Sequence, residues 1–402
     1  MIYAAIRLLL PRLPKRISSN VIPGVETELD RVFLAHFHDR MSKILTVSDN
    51  KDTNLFQRLI IPMACTNKCL MHSLLALSGS HLIRCSPTES FAKPKEWHYT
   101  NGLSILVKEV TLTCKYDKAV EEPIVATMIF QCLITISEGR TNGEHHIHLD
   151  GAYRYIKFQQ NSEFGVFVRE LYTYYYNMSN MFTSSHRPEA DSEDLGNGIC
   201  LPVPASSATF PDKRIMTRIF QLFKFMRTIK SFRSHARARK VQGTEPWCDS
   251  FTYDQATKIR SCLYVWQTGE NKGTQLDITT EIYREAILVY LLRSVRMPGS
   301  DLEVLARVNR AMKYIQTLPP NGPVLCVLLL PLFILGCAAF KTEQRIEIEY
   351  AFNKLERYSR LGNIVPARQV VHRIWEMMDV EDKESWDWET VMQNMNYDFL
   401  IA

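Results

Sequence analysis

The sequence predicts an all-α protein, a single large multi-helix domain built as an irregular helical bundle. Apolar residues recur at three- and four-residue spacing through most of the 402 residues, which is typical of helices with one buried face. Alternating apolar and polar runs, which mark half-buried strands, are scarce. Glycine is low at 16 residues. Turn dipeptides such as Asn142-Gly143 lie between helical patterns and not between strand patterns.

The spacing of apolar residues defines the helices in chain order. The first predicted helix covers 29–45. At the helix 124–138, Pro123 suits a first turn and Gly139 suits a helix end. The remaining predicted helices cover 69–83, 163–181, 215–232, 254–266, 278–296, 302–318, 343–358, 366–378 and 388–394.

We expect residues 1–25 to form a tail or linker and residues 26–402 to form the helical domain. Arg7 interrupts the apolar start, and further basic residues follow it. A secretory signal has the opposite order, with positive charge before an unbroken apolar stretch. The segment contains arginine and no acidic residue, so a mitochondrial presequence stays open as an alternative to a tail.

The apolar run 324–340 is the second segment that suggests a membrane. Spanning a bilayer takes about 20 apolar residues. This run is shorter and contains Pro331 and Gly336. We therefore predict a fully buried helix pair there and no membrane partner.

Composition excludes several classes of protein. Apolar residues make up 46% and charged residues 23%, as in ordinary globular chains. The excess of Lys+Arg over Asp+Glu is 48 − 43 = +5, which is too small for a protein that coats nucleic acid. The ten cysteines form no tight framework, which indicates free, mostly buried thiols in a reducing compartment.

Searching for catalytic and cofactor motifs identifies no catalytic residue, no metal ligand and no cofactor. The chain has no GxGxxG, no GxxxxGK[ST] and no GxSxG sequence. Cys65 and Cys69 lack the two-residue spacing of a zinc knuckle, and no second cysteine pair follows. We interpret them as two buried thiols one helical turn apart, and the chain as a non-enzyme.

The segment 144–148 reads Glu-His-His-Ile-His and resembles a metal site at first sight. Adjacent helical residues point to different faces, and no HExxH spacing is present. We therefore expect an ordinary helix start. His146 and Asp150 match the HxxxD pattern of some acyltransferases, but those enzymes need an α/β scaffold.

One cluster of charge is pronounced. From Asp212 to Lys240 there are ten Lys or Arg residues against Asp212 alone, interleaved with apolar residues. A Pro-rich, acidic stretch precedes the cluster within 184–211. The pattern predicts a basic amphipathic helix that serves nuclear import or an acidic partner; nucleic-acid contact and a merely solvated face are the alternatives. The predicted patch comprises Lys224, Arg227, Lys230, Arg233, Arg237, Arg239 and Lys240.

Several segments together resemble a known family. The matched segments are Asn54-Leu-Phe56, then Ile61-Pro-Met-Ala64 with LMHSLLALSGSHL at 70–82, His148-Leu-Asp-Gly-Ala152, Glu281-Ile-Tyr-Arg-Glu-Ala286 with Tyr290-Leu291, Leu330-Pro-Leu-Phe-Ile-Leu-Gly-Cys337, Gly362-Asn-Ile364 through Val370 to Trp375, and a closing Trp388, Val391-Met392 and Tyr397-Asp-Phe-Leu400. In this order they resemble the second type of fungal-specific transcription factor domain, the regulatory region of zinc binuclear-cluster transcription factors. The resemblance spans about residue 54 to 402.

The sequence departs from this family at two places. His145 stands where the family usually has a tryptophan before its HLxGA motif. The six-cysteine cluster that holds two zinc ions and reads DNA is not present, because the chain has no CxxC. Zinc is thus expected only in a cluster outside this sequence. Either such a cluster precedes these residues in the gene, or the protein acts through partners.

The resemblance implies a nuclear transcriptional regulator that reaches DNA only indirectly. Its expected partners are other regulatory proteins, including a homo- or heterodimer partner. In some relatives the domain senses a hydrophobic metabolite such as a sterol, which makes a small hydrophobic ligand a further expectation. The segments 164–176 and 324–340 are candidates for its pocket, although both also suit plain core. The alternative is a ligand-binding or scaffold protein with no direct transcriptional role.

Overall fold

The computed structural model describes residues 22–47, 54–116, 121–156, 162–182, 213–246, 248–266, 273–295 and 300–402. The regular secondary structure of these residues is helical, with one isolated bridge between Asn142 and Asp398. The all-α prediction is confirmed. The predicted tail, up to residue 21, and the acidic loop 184–211 lie outside the described residues.

The chain forms two compact units, and unit 1 comprises Met1–Tyr176, Ser359–Asn363 and Asp398–Leu400. A capping box starts its first helix: the Asp30 amide donates to Thr27 Oγ1 (3.2 Å) and the Thr27 amide donates to Asp30 Oδ2 (2.8 Å). The helices of unit 1 are α1 (Glu28–His36, continued by a π turn Phe37–Met41 and by Ser42–Ile44), a π turn Phe56–Ile60 leading into α2 (Ile61–Ala64), α3 (Lys68–Cys85), α4 (Glu89–Tyr116), α5 (Glu122–Glu138), α6 (Glu144–Ile156) and the first part of α7 (Glu163–Phe182).

Helices α3 and α5 form the centre of unit 1 and contact each other along their length. All residues of α5 from 123 to 137 are buried. Residues 69–81 of α3 are buried as well. Because no face of these two stretches meets water, neither has a side lined by charged residues. From Phe130 of α5 a row of rings continues through Phe37 and Phe56 to Phe167, with neighbouring ring centroids 5.2–6.4 Å apart.

The end of α5 is fixed by a close approach of two backbone segments within unit 1. Gly139 ends the helix in the left-handed conformation (φ 70°). The Gly362 amide donates to Ser137 O (3.0 Å) and the Asn363 amide donates to Ile136 O (3.1 Å). A Cβ atom at position 139 would lie 2.5 Å from Gly362 O. Both the conformation and the lack of space therefore require glycine.

Unit 2 comprises Asn177–Tyr358, Ile364–Tyr397 and Ile401–Ala402. Its central helix, Gln275–Val295, is buried on nearly every side and contacts the helices Lys213–Val241, Ser300–Thr317 and Leu329–Gly336. The helices of unit 2, besides the end of α7, are α8 (Lys213–Val241), α9 (Ser250–Val265), α10 (Gln275–Val295), α11 (Ser300–Thr317), a 3-10 turn Pro323–Val327, α12 (Leu329–Gly336), α13 (Thr342–Ser359), α14 (Ile364–Asp379) and α15 (Trp388–Asn394).

The apolar run 324–340 lies in the core of unit 2. It forms the 3-10 turn and α12, and all residues of α12 are buried. The predicted burial is confirmed, but the predicted pair of helices is wrong: the run forms a single α-helix preceded by a short 3-10 turn. Within the described residues, no helix combines the length and the apolar character that crossing a membrane requires.

Helix α4 is not among the helices that the sequence predicts. Pro94 lies inside this helix, where a proline removes one hydrogen bond and disfavours the fold locally. Tertiary contact outweighs this cost, because α4 lies closely along α3. At Gly102 a Cβ atom would stand 3.0 Å from Ser73 Oγ, so the small residue lets the two helices approach.

Candidate functional site

Helix α8 carries the predicted basic patch, and the structure divides it by exposure. Lys224 and Arg227 are exposed, and neither makes an ion pair with a residue that the structure describes. Lys230, Arg237, Arg239 and Lys240 are half-buried, and Arg233 is fully buried. The seven residues therefore do not form one continuous exposed surface.

Arg233 is enclosed by aromatic rings of unit 2. Its guanidinium carbon lies 4.2 Å from the ring centroid of Trp388, 5.0 Å from that of Trp386 and 5.5 Å from that of Tyr290. The side chain is 0% exposed. Its place in an exposed docking patch is thus a prediction that the structure corrects: the long side chain points into the interior, where ring faces and carboxylates surround its charge.

Two carboxylates neutralise the buried charge. Arg233 Nη2 donates to Asp387 Oδ1 (3.1 Å) and to Trp386 O (3.2 Å), and Arg233 Nε lies 3.6 Å from Glu389 Oε1. Arg237 Nε donates to Asp387 Oδ2 (2.7 Å), and Arg237 also pairs with Glu389. Two positive and two negative groups thus form a neutral buried cluster, which we call the arginine–carboxylate cluster.

The electrostatics of this cluster follow from its burial and from its pairing. Burial alone would raise the pKa of Asp387, but the hydrogen bond from Arg237 and the charges of Arg233 and Arg237 outweigh it and lower the pKa to about 2. Burial lowers the pKa of Lys230, and the nearby charge of Glu389 opposes this only in part. Asp387 also begins α15, because its Oδ1 accepts from the Thr390 amide. One carboxylate therefore both caps a helix and binds α8.

The other basic residues of α8 are engaged as well. Lys240 pairs with Glu384, and Arg239 Nε donates to Pro246 O (3.0 Å). Lys230 Nζ donates to Asn180 O. The side chains of the patch that stay available for an outside partner are therefore those of Lys224 and Arg227.

Sequence reasoning missed the partners of Arg233 and Arg237. The signal is present in the sequence as Trp386-Asp387-Trp388-Glu389, an alternation of aromatic and acidic residues. Such a stretch supplies both ring faces and carboxylates, which are the groups that a buried guanidinium needs. The separation of 150 residues between Arg237 and Asp387 hid the relation.

The histidine segment begins helix α6 of unit 1, as expected, but the expected divergence of its side chains is wrong. The ring centroids of His145 and His146 are 4.0 Å apart. Asp398 Oδ1 lies 3.0 Å from His146 Nε2 and 4.0 Å from His145 Nε2. In the part of the chain that the structure describes, these three residues form the one group of potential metal ligands. Asp150 of the HxxxD pattern is exposed, whereas His146 Nε2 faces Asp398.

Cys65 and Cys69 are both buried, which confirms that part of the interpretation. They lie on either side of the turn between α2 and α3 and not on one helix. Burial raises the pKa of each thiol to about 11. Both sulfurs therefore stay protonated at neutral pH, which is unfavourable for metal binding or nucleophilic attack.

Two pairs of histidines lie elsewhere in unit 1: His72, His81 and His98 are buried and His36 is half-buried. His81 Nε2 donates to Ser359 O (2.8 Å), so its Nδ1 accepts from His36 Nε2 (2.8 Å). His98 Nε2 donates to Asp30 Oδ1 and its Nδ1 lies 2.8 Å from His72 Nδ1. Burial lowers the pKa of His36 to about 3 and that of His72 and of His81 to about 4. These imidazoles are neutral in the folded state at neutral pH.

Acidification is expected to destabilise unit 1 before the carboxyl groups titrate. The unfolded chain binds protons at histidine below pH 6.5, but the folded chain does not until about pH 4. The free energy of unfolding therefore falls as pH falls from 6.5 towards 4.5, by up to about 1.4 kcal/mol per pH unit for each such histidine. Urea unfolding across this range measures the slope, and His72→Gln should reduce it. An equal reduction by His372→Gln, at a half-exposed histidine, would contradict the assignment.

Comparison with known proteins identifies the family. The model of the fungal specific transcription factor domain matches residues 32–402. Comparisons with curated proteins and with solved structures give no match. The fold and this match define a fungal transcription-regulatory protein. The chain belongs to the fungal specific transcription factor domain family, as its resemblance to that family implied, and the description of the family names a transcription factor and not an enzyme.

Proposed function

We propose that this chain is the regulatory module of a nuclear fungal transcription factor and that it acts through protein partners. The family match over residues 32–402 is the observation that carries the proposal. The proposed contact surface is the exposed part of α8, with Lys224 and Arg227 as its charged residues. Its proposed partner is an acidic surface of another regulatory protein or of a second copy of the chain.

The division of the basic helix supports this surface. Arg233 and Arg237 neutralise carboxylates inside unit 2, so their charge is not available to a partner. Lys224 and Arg227 are three residues apart and therefore lie side by side on one helix face. Two adjacent exposed cations attract an acidic partner and set its orientation, at little cost in desolvation.

Charge reversal at this surface tests the proposal. The chain is fused to an unrelated DNA-binding domain, and reporter transcription is measured in a fungal host. We expect the fusion to change transcription of the reporter. We expect the double substitution Lys224→Glu with Arg227→Glu to weaken partner binding about tenfold or more, because its negative charges would then face those of the acidic partner. The matched control is Lys258→Glu with Lys313→Glu, which makes the same change of charge at exposed positions on α9 and α11.

Three results would contradict this proposal. The fusion could leave the reporter at the level given by the DNA-binding domain alone, which would remove the regulatory role. The charge-reversed variant could recover the same partners as the control variant, which would remove α8 as the contact surface while leaving the role intact. Localisation of the tagged chain outside the nucleus would also contradict the proposal.

A small hydrophobic effector belongs to the same proposal. The aromatic helix α7 and the run 324–340 supply large apolar side chains, among them the buried Tyr172 and Phe333. A ligand regulates the module only if it binds one of two conformations more tightly. Organic extraction of protein purified from the native host, followed by mass spectrometry, should recover one apolar compound near 1:1 stoichiometry. Recovery of bulk lipids in variable amounts would argue for a module without such an effector.

A further inference from the structure

The three polar side chains at the start of α6 come from two segments of unit 1 that are far apart in sequence. His145 and His146 belong to the first turn of α6, and Asp398 follows α15. His146 and Asp398 are separated by 252 residues. The side chain of His145 is 2% exposed, that of His146 is 16% exposed and that of Asp398 is 49% exposed. The group is therefore anchored in the interior and open to solvent on the side of the carboxylate.

Backbone hydrogen bonds hold the two segments in register. The Gly143 amide donates to Asp398 O (2.8 Å), and the Asp398 amide donates to Thr141 O (2.8 Å). Gly143 has φ 74°, and a Cβ atom there would lie 2.7 Å from Asp398 Oδ2. The absence of a side chain at position 143 thus makes room for the carboxylate. Both backbones are fixed, so the side chains are presented to each other with little freedom left to lose.

We propose that His145, His146 and Asp398 bind a divalent first-row transition-metal ion. Each residue offers one ligand atom, and these atoms all lie within 4.8 Å of one another. Two imidazole nitrogens and a carboxylate oxygen form a donor set that suits Zn²⁺, Fe²⁺, Ni²⁺ or Cu²⁺ better than Mg²⁺ or Ca²⁺. Water completes the coordination on the open side.

The distances need only small adjustments of side chains. Ligand atoms about 2.0–2.1 Å from a tetrahedral metal are roughly 3.3 Å apart. Asp398 Oδ1 already lies 3.0 Å from His146 Nε2, and His145 Nε2 is 4.0 Å away from the same oxygen. Binding of the ion would therefore draw His145 Nε2 closer to that oxygen.

The position of the group at a helix start weighs against a cation, but weakly. The partial positive charge of a helix N-terminus reduces affinity for a cation on the order of tenfold or less. Glu144, in the same turn, already pairs with Arg140 and so adds little net charge. The negative charge of Asp398 is the local charge that a cation would neutralise. The coordinate bonds of three protein ligands outweigh the helix effect.

An ordinary hydrogen-bonded pair between His146 and Asp398 is the competing explanation. The structure contains such a pair elsewhere: His38 Nδ1 lies 2.9 Å from Asp39 Oδ1. Within the described residues, that pair belongs to no group of three ligands. It therefore provides the matched control, because it shares the histidine–aspartate chemistry and differs by the second imidazole.

Metal titration of the reduced 402-residue chain decides between the two explanations. Zn²⁺ is titrated in competition with a chromophoric chelator of known affinity, and Co²⁺ is used as a spectroscopic probe of the ligand set. We expect Asp398→Asn and His146→Gln each to weaken one Zn²⁺ site by at least about tenfold, since even outer-shell changes cost 10–100-fold. The same variants should lose the visible Co²⁺ absorption of that site. His38→Gln should change neither quantity.

Zinc bound by cysteines or by other histidines would appear equally in the wild type and in all three variants. The proposed site is therefore measured as the difference in Zn²⁺ binding between the wild type and each variant. Asp398→Asn preserves the size of the side chain, and far-UV circular dichroism with a melting curve checks that it folds. A wild-type protein with no Zn²⁺ site beyond those of a correctly folded Asp398→Asn variant would overturn the proposal. Loss of the site in His38→Gln as strongly as in His146→Gln would also overturn it. This test is independent of the transcriptional role.

Discussion

Replacing Arg233 with alanine is expected to lower the free energy of unfolding of unit 2 by about 3–5 kcal/mol. Arg237 still pairs with both carboxylates, but the loss of Arg233 leaves one buried negative charge of the cluster without compensation, and that cost falls in this range. The guanidinium is 0% exposed and contacts Asp387, which is 4% exposed, and Glu389, which is 1% exposed. The change also removes contacts with the three surrounding rings. Urea unfolding followed by hydrogen exchange of α10 and α15 measures the loss and places it in the chain.

Arg227→Ala is the matched control for this prediction. It makes the same substitution on the same helix at an exposed position, where changes are usually within about 0.5 kcal/mol. Asp387→Asn separates the two roles of Asp387, because it keeps a side-chain oxygen for the helix cap and removes the charge. If Arg233→Ala and Arg227→Ala unfold at the same urea concentration, the arginine–carboxylate cluster does not stabilise unit 2.

Gly139→Ala is expected to destabilise unit 1 through two additive effects. A left-handed conformation costs an L-residue about 1–2 kcal/mol. The new Cβ would also stand 2.5 Å from Gly362 O, and such overpacking costs about 1–3 kcal/mol more. The contact is with backbone, so no side chain can rotate away to relieve it. Loss of hydrogen-exchange protection in α3 and α5 is the expected signature.

Gly243→Ala isolates the first effect, the cost of the left-handed conformation. Gly243 also has a positive φ (67°), but no atom lies within 4 Å of the position its Cβ would take. We therefore expect this variant to show the conformational cost alone. Equal destabilisation by both substitutions would mean that the close approach of Gly139 and Gly362 has no energetic consequence.

Helix type and position were largely predictable because local signals agree with tertiary structure. At α5, Pro123 in the first turn and Gly139 at the end bound a run that is buried on all sides. At α4 the local signals disagree with the tertiary structure. Pro94 interrupts the helical pattern of the sequence, yet the helix forms because it packs closely on α3 at Gly102. Propensity is a local quantity, whereas the free energy of packing α4 on α3 depends on another part of the chain.

The candidate sites were less predictable for the same physical reason. The charges of α8 are plain in the sequence, but their neutralisation depends on Asp387 and Glu389, 150 residues or more away. A count of charges cannot distinguish Arg233, which is buried, from Arg227, which is exposed. The histidine pair likewise acquires its third ligand, Asp398, only through the fold. Spacing rules apply within one element and cannot find partners that two elements bring together.

The composition of unit 1 has a consequence for how the protein is made. Its core segment ends at Tyr176, yet it also contains Ser359–Asn363 and Asp398–Leu400. At roughly 5–20 residues per second, a ribosome synthesises those two segments tens of seconds after the core segment. Until then the Ser137 and Thr141 carbonyls lack their donors, the amides of Gly362 and Asp398. A premature stop codon shortly before Asp398 would therefore leave unit 1 without its last segment, and the truncated protein would be a substrate for cellular quality control.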